Sequence, residues 1–168
     1  MTLTARPASP DDAAILAQIY NEGIEDRVGT FETRPRSEDE VRAWFDGVHP
    51  IVVVEDQSGG QGVVAFASTS TYRPRECYRG IAEFSVYTAR AWRGQGAGRV
   101  AMAALIEACG PAGIWKLVSR VFVENAASRS LLSSVGFREV GTYQNHAQLD
   151  GRWRDVVIVE RLIPENIR

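Results

Sequence analysis

Two parts of this chain place chemically competent residues at close spacing: the run Arg93-Gly94-Gln95-Gly96-Ala97-Gly98-Arg99, and the carboxylate of Glu83 ten residues before it. Glycines let backbone N–H groups come close to a phosphate, and a helix starting there adds its dipole. Arg93 and Arg99 bring positive charge to such a cradle. Two familiar phosphate loops do not fit. A P-loop needs Gly, four residues, then Gly-Lys-Ser/Thr, and the dinucleotide fingerprint needs Gly-x-Gly-x-x-Gly early in a βαβ unit. Here the spacing is Gly-x-Gly-x-Gly, after four expected strands. Taken alone, the run is also compatible with a turn that merely joins a strand to a helix.

Glu83 is expected to be partly walled from water by Phe84, Tyr87 and Trp92, an environment that raises a carboxylate toward the range useful for a general base. The plainer alternative is an ion pair with an arginine. The preceding loop carries Tyr72, Arg73, Arg75 and Tyr78. Two guanidinium forks suit an oxyanion, and two phenol rings can shape a pocket. Exposed loop arginines are as commonly only solvated, and that plain reading is preferred for Arg73.

The elements that must position these groups follow from period and punctuation. Leu3 to Arg6 reads as a strand closed by Pro7 and Pro10, and Ile15, Leu16, Ile19 and Tyr20 recur at helical spacing up to about Glu25. Residues 27–36 have no period and form a loop containing Thr30 and Phe31. Ser37 with Glu40 forms a capping box for a second helix. Ile51 to Glu55 is a β-branched, buried strand, and a turn at Ser58-Gly59-Gly60 leads into a strand from Gly62 to Ser70. Ile81 to Thr88 is the strand that ends at the glycine-rich turn. A helix follows from about Gly98 to Cys109, stopped by Gly110-Pro111. Trp115 to Val123 is a strand, and Asn125 caps a helix running to Ser134. Two last strands, near 138–143 and 154–163, flank a loop containing Asp150-Gly151-Arg152-Trp153. The order βααβββαβαββ predicts an α/β (α+β) domain spanning 1–168: one mixed, mostly antiparallel sheet flanked by helices on both faces.

The totals set the bounds. A chain of 168 residues with 45% hydrophobic and 24% charged residues is of ordinary globular composition. A net charge of -2 argues against nucleic acid as the main partner. No apolar run reaches the length of a membrane span, and Met1 to Arg6 lacks a signal peptide's apolar stretch, so a cytoplasmic location without a membrane partner is expected. Cys77 and Cys109 have neither metal-site nor disulfide spacing, and no metal is expected.

Arg93-x-x-Gly96-x-Gly98, between a β-branched strand and an apolar helix, is similar to the coenzyme-A motif of the GNAT superfamily of N-acetyltransferases. Val121-Phe122-Val123-Glu124-Asn125-Ala126-Ala127-Ser128, followed by Gly136-Phe137, looks like that superfamily's second conserved block. More narrowly, Ile19-Tyr20-Asn21-Glu22, Thr30-Phe31-Glu32-Thr33, Tyr72-Arg73-Pro74-Arg75, Tyr78, Glu83-Phe84-Ser85-Val86-Tyr87 and Gly151-Arg152-Trp153-Arg154-Asp155-Val156 resemble the phosphinothricin acetyltransferase group and its arsinothricin-acetylating relatives.

The resemblance implies acetyl-CoA as cosubstrate, its pyrophosphate on residues 93–99. Its pantetheine arm would pair with backbone at Val86, Tyr87 and Thr88, where two strands splay apart, with Asn125 and Ser128 in contact. It implies Glu83 as general base, directly or through a water, Arg75 as the anion-binding arginine, and Thr30 and Phe31 over the substrate. Tyr72, Arg73 and Tyr78 are further candidates for the substrate pocket. The implied substrate is the α-amine of a small amino-acid analogue such as phosphinothricin, arsinothricin or methionine sulfoximine, and the implied assembly a homodimer. One departure stands out: Leu132 occupies the position of a tyrosine that protonates the leaving thiolate in many members, so no general acid is assigned. Two other readings stay open: acetylation of peptide, protein or other small amines, and a coenzyme-A-binding module without catalysis.

Overall fold

Ile51-Val52-Val53-Val54 crowds its backbone with branched Cβ atoms, which favours an extended chain, and all four residues are buried in strand β2 (Ile51–Asp56). Burial on both faces requires a layer on each side, and both are present in the computed structural model, which describes residues 1–60 and 62–168. Ile51 and Val53, with Phe66, pack beneath Leu16 and Ile19 of helix α1 (Ala13–Asp26) and Val41 of the short helix α2 (Glu38–Arg42). Val52 and Val54, with Ala65 and Ala67, pack against Met102 and Leu105 of helix α3 (Ala97–Cys109) on the opposite face.

The remaining strands are β1 (Leu3–Pro7), β3 (Gly62–Thr71), β4 (Ile81–Thr88), β5 (Lys116–Phe122), β6 (Arg138–Leu149) and β7 (Arg152–Leu162), with helix α4 (Ala126–Ser134) between β5 and β6. They form one seven-stranded sheet of order β1-β2-β3-β4-β5-β7-β6. Every neighbouring pair is antiparallel except β4 and β5. The expected order βααβββαβαββ and the mixed, mostly antiparallel sheet are those observed.

Three local expectations need correction. The capping box at Ser37 is half made: Ser37 Oγ accepts from the Glu40 N–H at 3.1 Å, but the Glu40 carboxylate turns to Arg34 at 2.9 Å. A carboxylate does reach back to a cap N–H at Ser9, which donates to Asp12 at 2.8 Å. The loop expected between the last two strands is absent, because β6 runs on to Leu149 and turns into β7 over two residues. Asp150 (φ 52) and Gly151 (φ 76) both adopt the left-handed conformation that a two-residue hairpin turn demands, and Asp-Gly is its favoured dipeptide. What reads as loop around His146 is a bulge in β6, with pairing interrupted between Tyr143 and Ala147 and Asn145 at φ 46. The Asp155 carboxylate holds that bulge by accepting from the Asn145 N–H at 2.7 Å. Val156, Val157 and Val159 are buried inside the chain, because β7 lies between β5 and β6.

Candidate active site

The site begins where β4 and β5 part. Their parallel pairing covers only Ile81↔Lys116, Ala82↔Leu117 and Glu83↔Val118. Beyond Glu83, β4 continues along β3 as far as Thr88, while β5 continues along β7 as far as Phe122. The β4 edge from Phe84 onward therefore faces a gap rather than a neighbouring strand. Ser119 Oγ donates across its narrow end to the Phe84 carbonyl at 3.0 Å.

Three cavities meet along this gap. A cleft of about 370 Å³ lies at the start of α3, lined by Val86, Tyr87, Thr88, the glycines, Asn125 and Ser128. A neck of about 60 Å³ between the strands is lined by Ser85, Val86, Ser119 and Arg120. A second cleft of about 400 Å³ holds Glu83, Arg120, Thr30, Phe31 and His146. Gly29 and Tyr87 line all three, so one passage crosses the sheet.

At the first cleft, Gly94 (φ 77) and Gly96 (φ 90) take left-handed conformations with nothing within 4 Å of where a Cβ would stand. Gly98 serves differently: a Cβ there would sit 2.8 Å from Leu131 Cδ1 and 3.5 Å from Thr88 Oγ1, so its absence lets α3 close on α4 and β4. The first bond of α3 runs from the Val100 N–H to the Gly96 carbonyl, which leaves the N–H groups of Ala97, Gly98 and Arg99 outside the helix ladder. Orphan donors, open glycines and the dipole of a thirteen-residue helix fit a phosphate. Arg93 is exposed and lines this cleft, its Nη1 donating to Asp26 at 2.6 Å. Gln95 Nε2 donates to the Ala91 carbonyl at 3.3 Å, and Arg99 is exposed. Asn125 works in two directions: its Oδ1 accepts from the Ser128 N–H at 3.1 Å, capping α4, and its Nδ2 donates to the Val28 carbonyl at 3.0 Å. The unpaired β4 edge and the phosphate cradle together fit a cofactor with an extended polar arm and a pyrophosphate, such as acetyl-CoA.

At the second cleft, Glu83 is one-third exposed and bonded to Arg120 Nη2 at 2.9 Å. Of its three expected walls, only Tyr87 belongs to its side of the sheet. Phe84 packs into the core under α3, because alternate residues of a strand face opposite ways, and Trp92, in the turn after β4, packs against the same core. Tyr87 meets Tyr20 edge-on at 5.0 Å and stacks on Phe66 at 5.6 Å, and burial pushes its phenol well above the ordinary tyrosine range. The loop bearing Thr30 and Phe31 is tied back to α1 at its far end by a pair of bonds. Asn21 Nδ2 donates to the Arg36 carbonyl at 2.9 Å, and the Arg36 N–H donates back to Asn21 at 2.8 Å. Phe31 meets Phe122 edge-on at 4.9 Å and lies 6.4 Å from the His146 ring.

Tyr72 and Tyr78 pack edge to face at 5.7 Å, with the Arg73 guanidinium 5.1 Å over the Tyr72 ring. Arg75, exposed, opens the short 3-10 turn at Glu76–Tyr78, and none of these four side chains lines the Glu83 cleft among the described residues. Sequence reasoning overlooked Arg120, Ser119 and Asp26. Arg120 left one signal: it shares a strand face with apolar Val118 and Phe122 at the heart of the sheet.

A splayed parallel pair, a glycine-rich helix start and a carboxylate at the fork define an acyl-transfer enzyme that draws on acetyl-CoA. Comparison with known proteins agrees. Residues 2–138 match the Acetyltransferase (GNAT) domain family. The chain is 31% identical to the phosphinothricin N-acetyltransferase of Streptomyces coelicolor, covering 93% of this chain and 94% of that one. It is 32% identical to an L-methionine sulfoximine/L-methionine sulfone acetyltransferase of Pseudomonas paraeruginosa, covering 95% and 94%. Among solved structures, a GNAT superfamily phosphinothricin acetyltransferase from Sinorhizobium meliloti in complex with acetyl-CoA superposes with a TM-score of 0.87 at 30% identity, covering 96% of this chain and 89% of that one. The chain belongs to the GNAT family of N-acetyltransferases, and acetyl-CoA is its cosubstrate. Among the described residues, no cluster of side chains could hold a metal ion, and no helix is long and apolar enough to cross a membrane.

Proposed function

We propose that this enzyme acetylates the α-amine of a small amino-acid analogue such as phosphinothricin, arsinothricin or methionine sulfoximine, by direct transfer with Glu83 as general base. The observation that carries the reading is the position of Glu83: the last β4 residue paired to β5, at the fork where the passage reaches the second cleft. The relatives that act on phosphinothricin and methionine sulfoximine supply the substrate class.

Acetyl-CoA supplies an acetyl group already activated as a thioester. In this reading the N–H groups at 97–99 hold its pyrophosphate, and the bare β4 edge at Val86, Tyr87 and Thr88 receives its arm and offers an N–H to the thioester oxygen. Glu83 takes a proton from the substrate ammonium, directly or through one water, so that the amine's lone pair can attack. Thr30 and Phe31 cover the substrate, and Arg75, which stands outside the cleft in the β3–β4 loop beside Tyr72, Arg73 and Tyr78, must move inward to meet the oxygen-bearing end of the substrate side chain. Leu132, 2% exposed, is a core residue and donates no proton to the leaving thiolate. A thiol is acidic enough to leave without dedicated help. The proposal includes a homodimer, for which Tyr143 and Trp153, both more than half exposed on the β6–β7 hairpin, are candidate contact residues.

The test is thiol release from acetyl-CoA with phosphinothricin, methionine sulfoximine and common amino acids. Glu83→Gln should bind acetyl-CoA as before and lose at least about 100-fold in turnover, the usual worth of a general base. Full turnover by that variant removes Glu83 from the mechanism. Acetyl-CoA binding without acetylation of any amine favours the non-catalytic module instead.

A further inference from the structure

The second cleft contains a charge that the acetyl-transfer reading leaves unused. Arg120 is the one guanidinium lining it among the described residues, and it sits across the fork from Glu83, the two residues on opposite sides of the diverging strands. A single bond joins them, Nη2 to Oε1 at 2.9 Å, and no other side-chain hydrogen bond engages Arg120 among the described residues. With the Arg120 side chain 45% exposed, such a pair adds at most about 1 kcal/mol to stability. A charged side chain on a central strand, where its neighbours Phe122 and Ile158 are apolar, is poorly explained by so small a return.

The other charges nearby are committed or absent. Glu32 lines the same cleft but pairs with Arg36 at 2.7 Å. Arg75 and Arg73 stand outside it. Glu83 and Arg120 therefore present one anion and one cation, side by side, to whatever enters. An α-amino acid presents the mirror arrangement: an ammonium and a carboxylate on the same carbon.

We propose that Arg120 is the carboxylate-binding residue of the amine substrate, so that the Glu83–Arg120 pair recognises the zwitterionic head of a free α-amino acid. The inference rests on the acetyl-transfer reading of the same cleft. On binding, the substrate carboxylate takes the guanidinium donors that Glu83 does not use, with fork geometry that suits two parallel bonds. Its ammonium is then directed to Glu83, the group that deprotonates it. Arg120 thus sets both specificity and orientation: amines without an adjacent carboxylate lose the anchor, and peptide N-termini, whose carboxylate is an amide, lose it too.

The experiment compares L-methionine sulfone with its carboxamide, which differ only in the charge that Arg120 would read. The unmodified enzyme should prefer the acid by at least tenfold in kcat/KM. In Arg120→Gln that preference should fall about 10–100-fold, mostly through KM for the acid, the range expected for a lost charge-assisted hydrogen bond. Arg120→Lys should recover part of the preference, because a point charge replaces the fork. Acetyl-CoA affinity, measured on each variant, reports that the fold is kept. If Arg120→Gln slows acid and amide equally, Arg120 acts only by positioning Glu83 and the assignment is overturned. If the preference survives intact, it is overturned as well, with acetyl transfer left standing. If the unmodified protein binds acetyl-CoA yet acetylates neither compound nor any other amine, the acetyl-transfer reading falls and takes this one with it.

Discussion

Gly23 lies against Tyr87 so closely that a Cβ added there would stand 2.9 Å from two carbons of the phenol ring. The ring is held on its other sides by Tyr20 and Phe66, and it forms part of the wall of both clefts and of the neck between them. A glycine in the penultimate turn of α1 thus fixes the bore of the passage from a different layer of the fold.

Replacing Gly23 with alanine sets two effects against each other. Helix propensity favours alanine by about 1 kcal/mol. Overpacking against a ring that is enclosed on its remaining sides costs about 1–3 kcal/mol. The second should win or draw, and the ring has room only toward the passage. The expected outcome is a melting temperature equal to or a few degrees below that of the parent, with acetyl-CoA affinity reduced at least fivefold in calorimetry. A variant that melts higher and binds acetyl-CoA as before would show that Tyr87 does not gate the passage.

The glycines at the start of α3 should respond unequally to alanine. Gly96, at φ 90 with open space around it, is needed for its backbone conformation. Gly96→Ala should cost about 1–2 kcal/mol, a drop of about 2–8 °C in Tm, and should weaken acetyl-CoA binding by distorting the cradle. Gly98 lies within the helix, and its nearest obstacle is the mobile tip of Leu131. Gly98→Ala should be tolerated better in stability while still narrowing the cleft. Thermal melts and cofactor titrations on the two variants separate these effects, and equal Tm losses would contradict the distinction.

Asp26 ties the end of α1 to the approach to the glycine-rich turn through Arg90 at 2.9 Å and Arg93 at 2.6 Å, and these hydrogen bonds hold its carboxyl down at about 2. A depressed carboxyl stabilises the fold above its unfolded value near 4, and that contribution is lost as pH falls toward about 2. The Tm gap between the parent and Asp26→Asn should therefore stay level from pH 8 to pH 5 and close only as pH drops below about 4. A gap that changes between pH 6 and 8 would point to a different titrating partner.

The residues that could be read from the chain are those whose reason is local. β-branched runs, the Asn125 cap and the Gly94-Gly96-Gly98 spacing each act within a few positions, and the structure has each in the element expected. What escaped depends on partners distant in sequence. Arg120 matters because a parallel pairing 37 residues away brings Glu83 beside it. Asp26 matters because Arg93 folds back onto it from 67 residues on. The expected enclosure of Glu83 failed for a simpler reason: Phe84 is its neighbour in the chain but belongs to the other face of the sheet. The bulge in β6 escaped because the Asp155 carboxylate tethers the Asn145 backbone from ten residues on, whereas the hairpin turn itself was legible in Asp150-Gly151.

The fork between β4 and β5 also bears on how the molecule avoids sticking to itself. An exposed strand with free backbone donors and acceptors normally templates pairing with another chain, and proteins protect such edges with charge, proline or cover. Here the free edge beyond Glu83 is interior, roofed by the Gly29 loop and flanked by α3 and α4. A second polypeptide would have to push these elements aside before it could pair there. The fold thereby shelters a pairing-competent edge that would be a solubility hazard at the rim of the sheet.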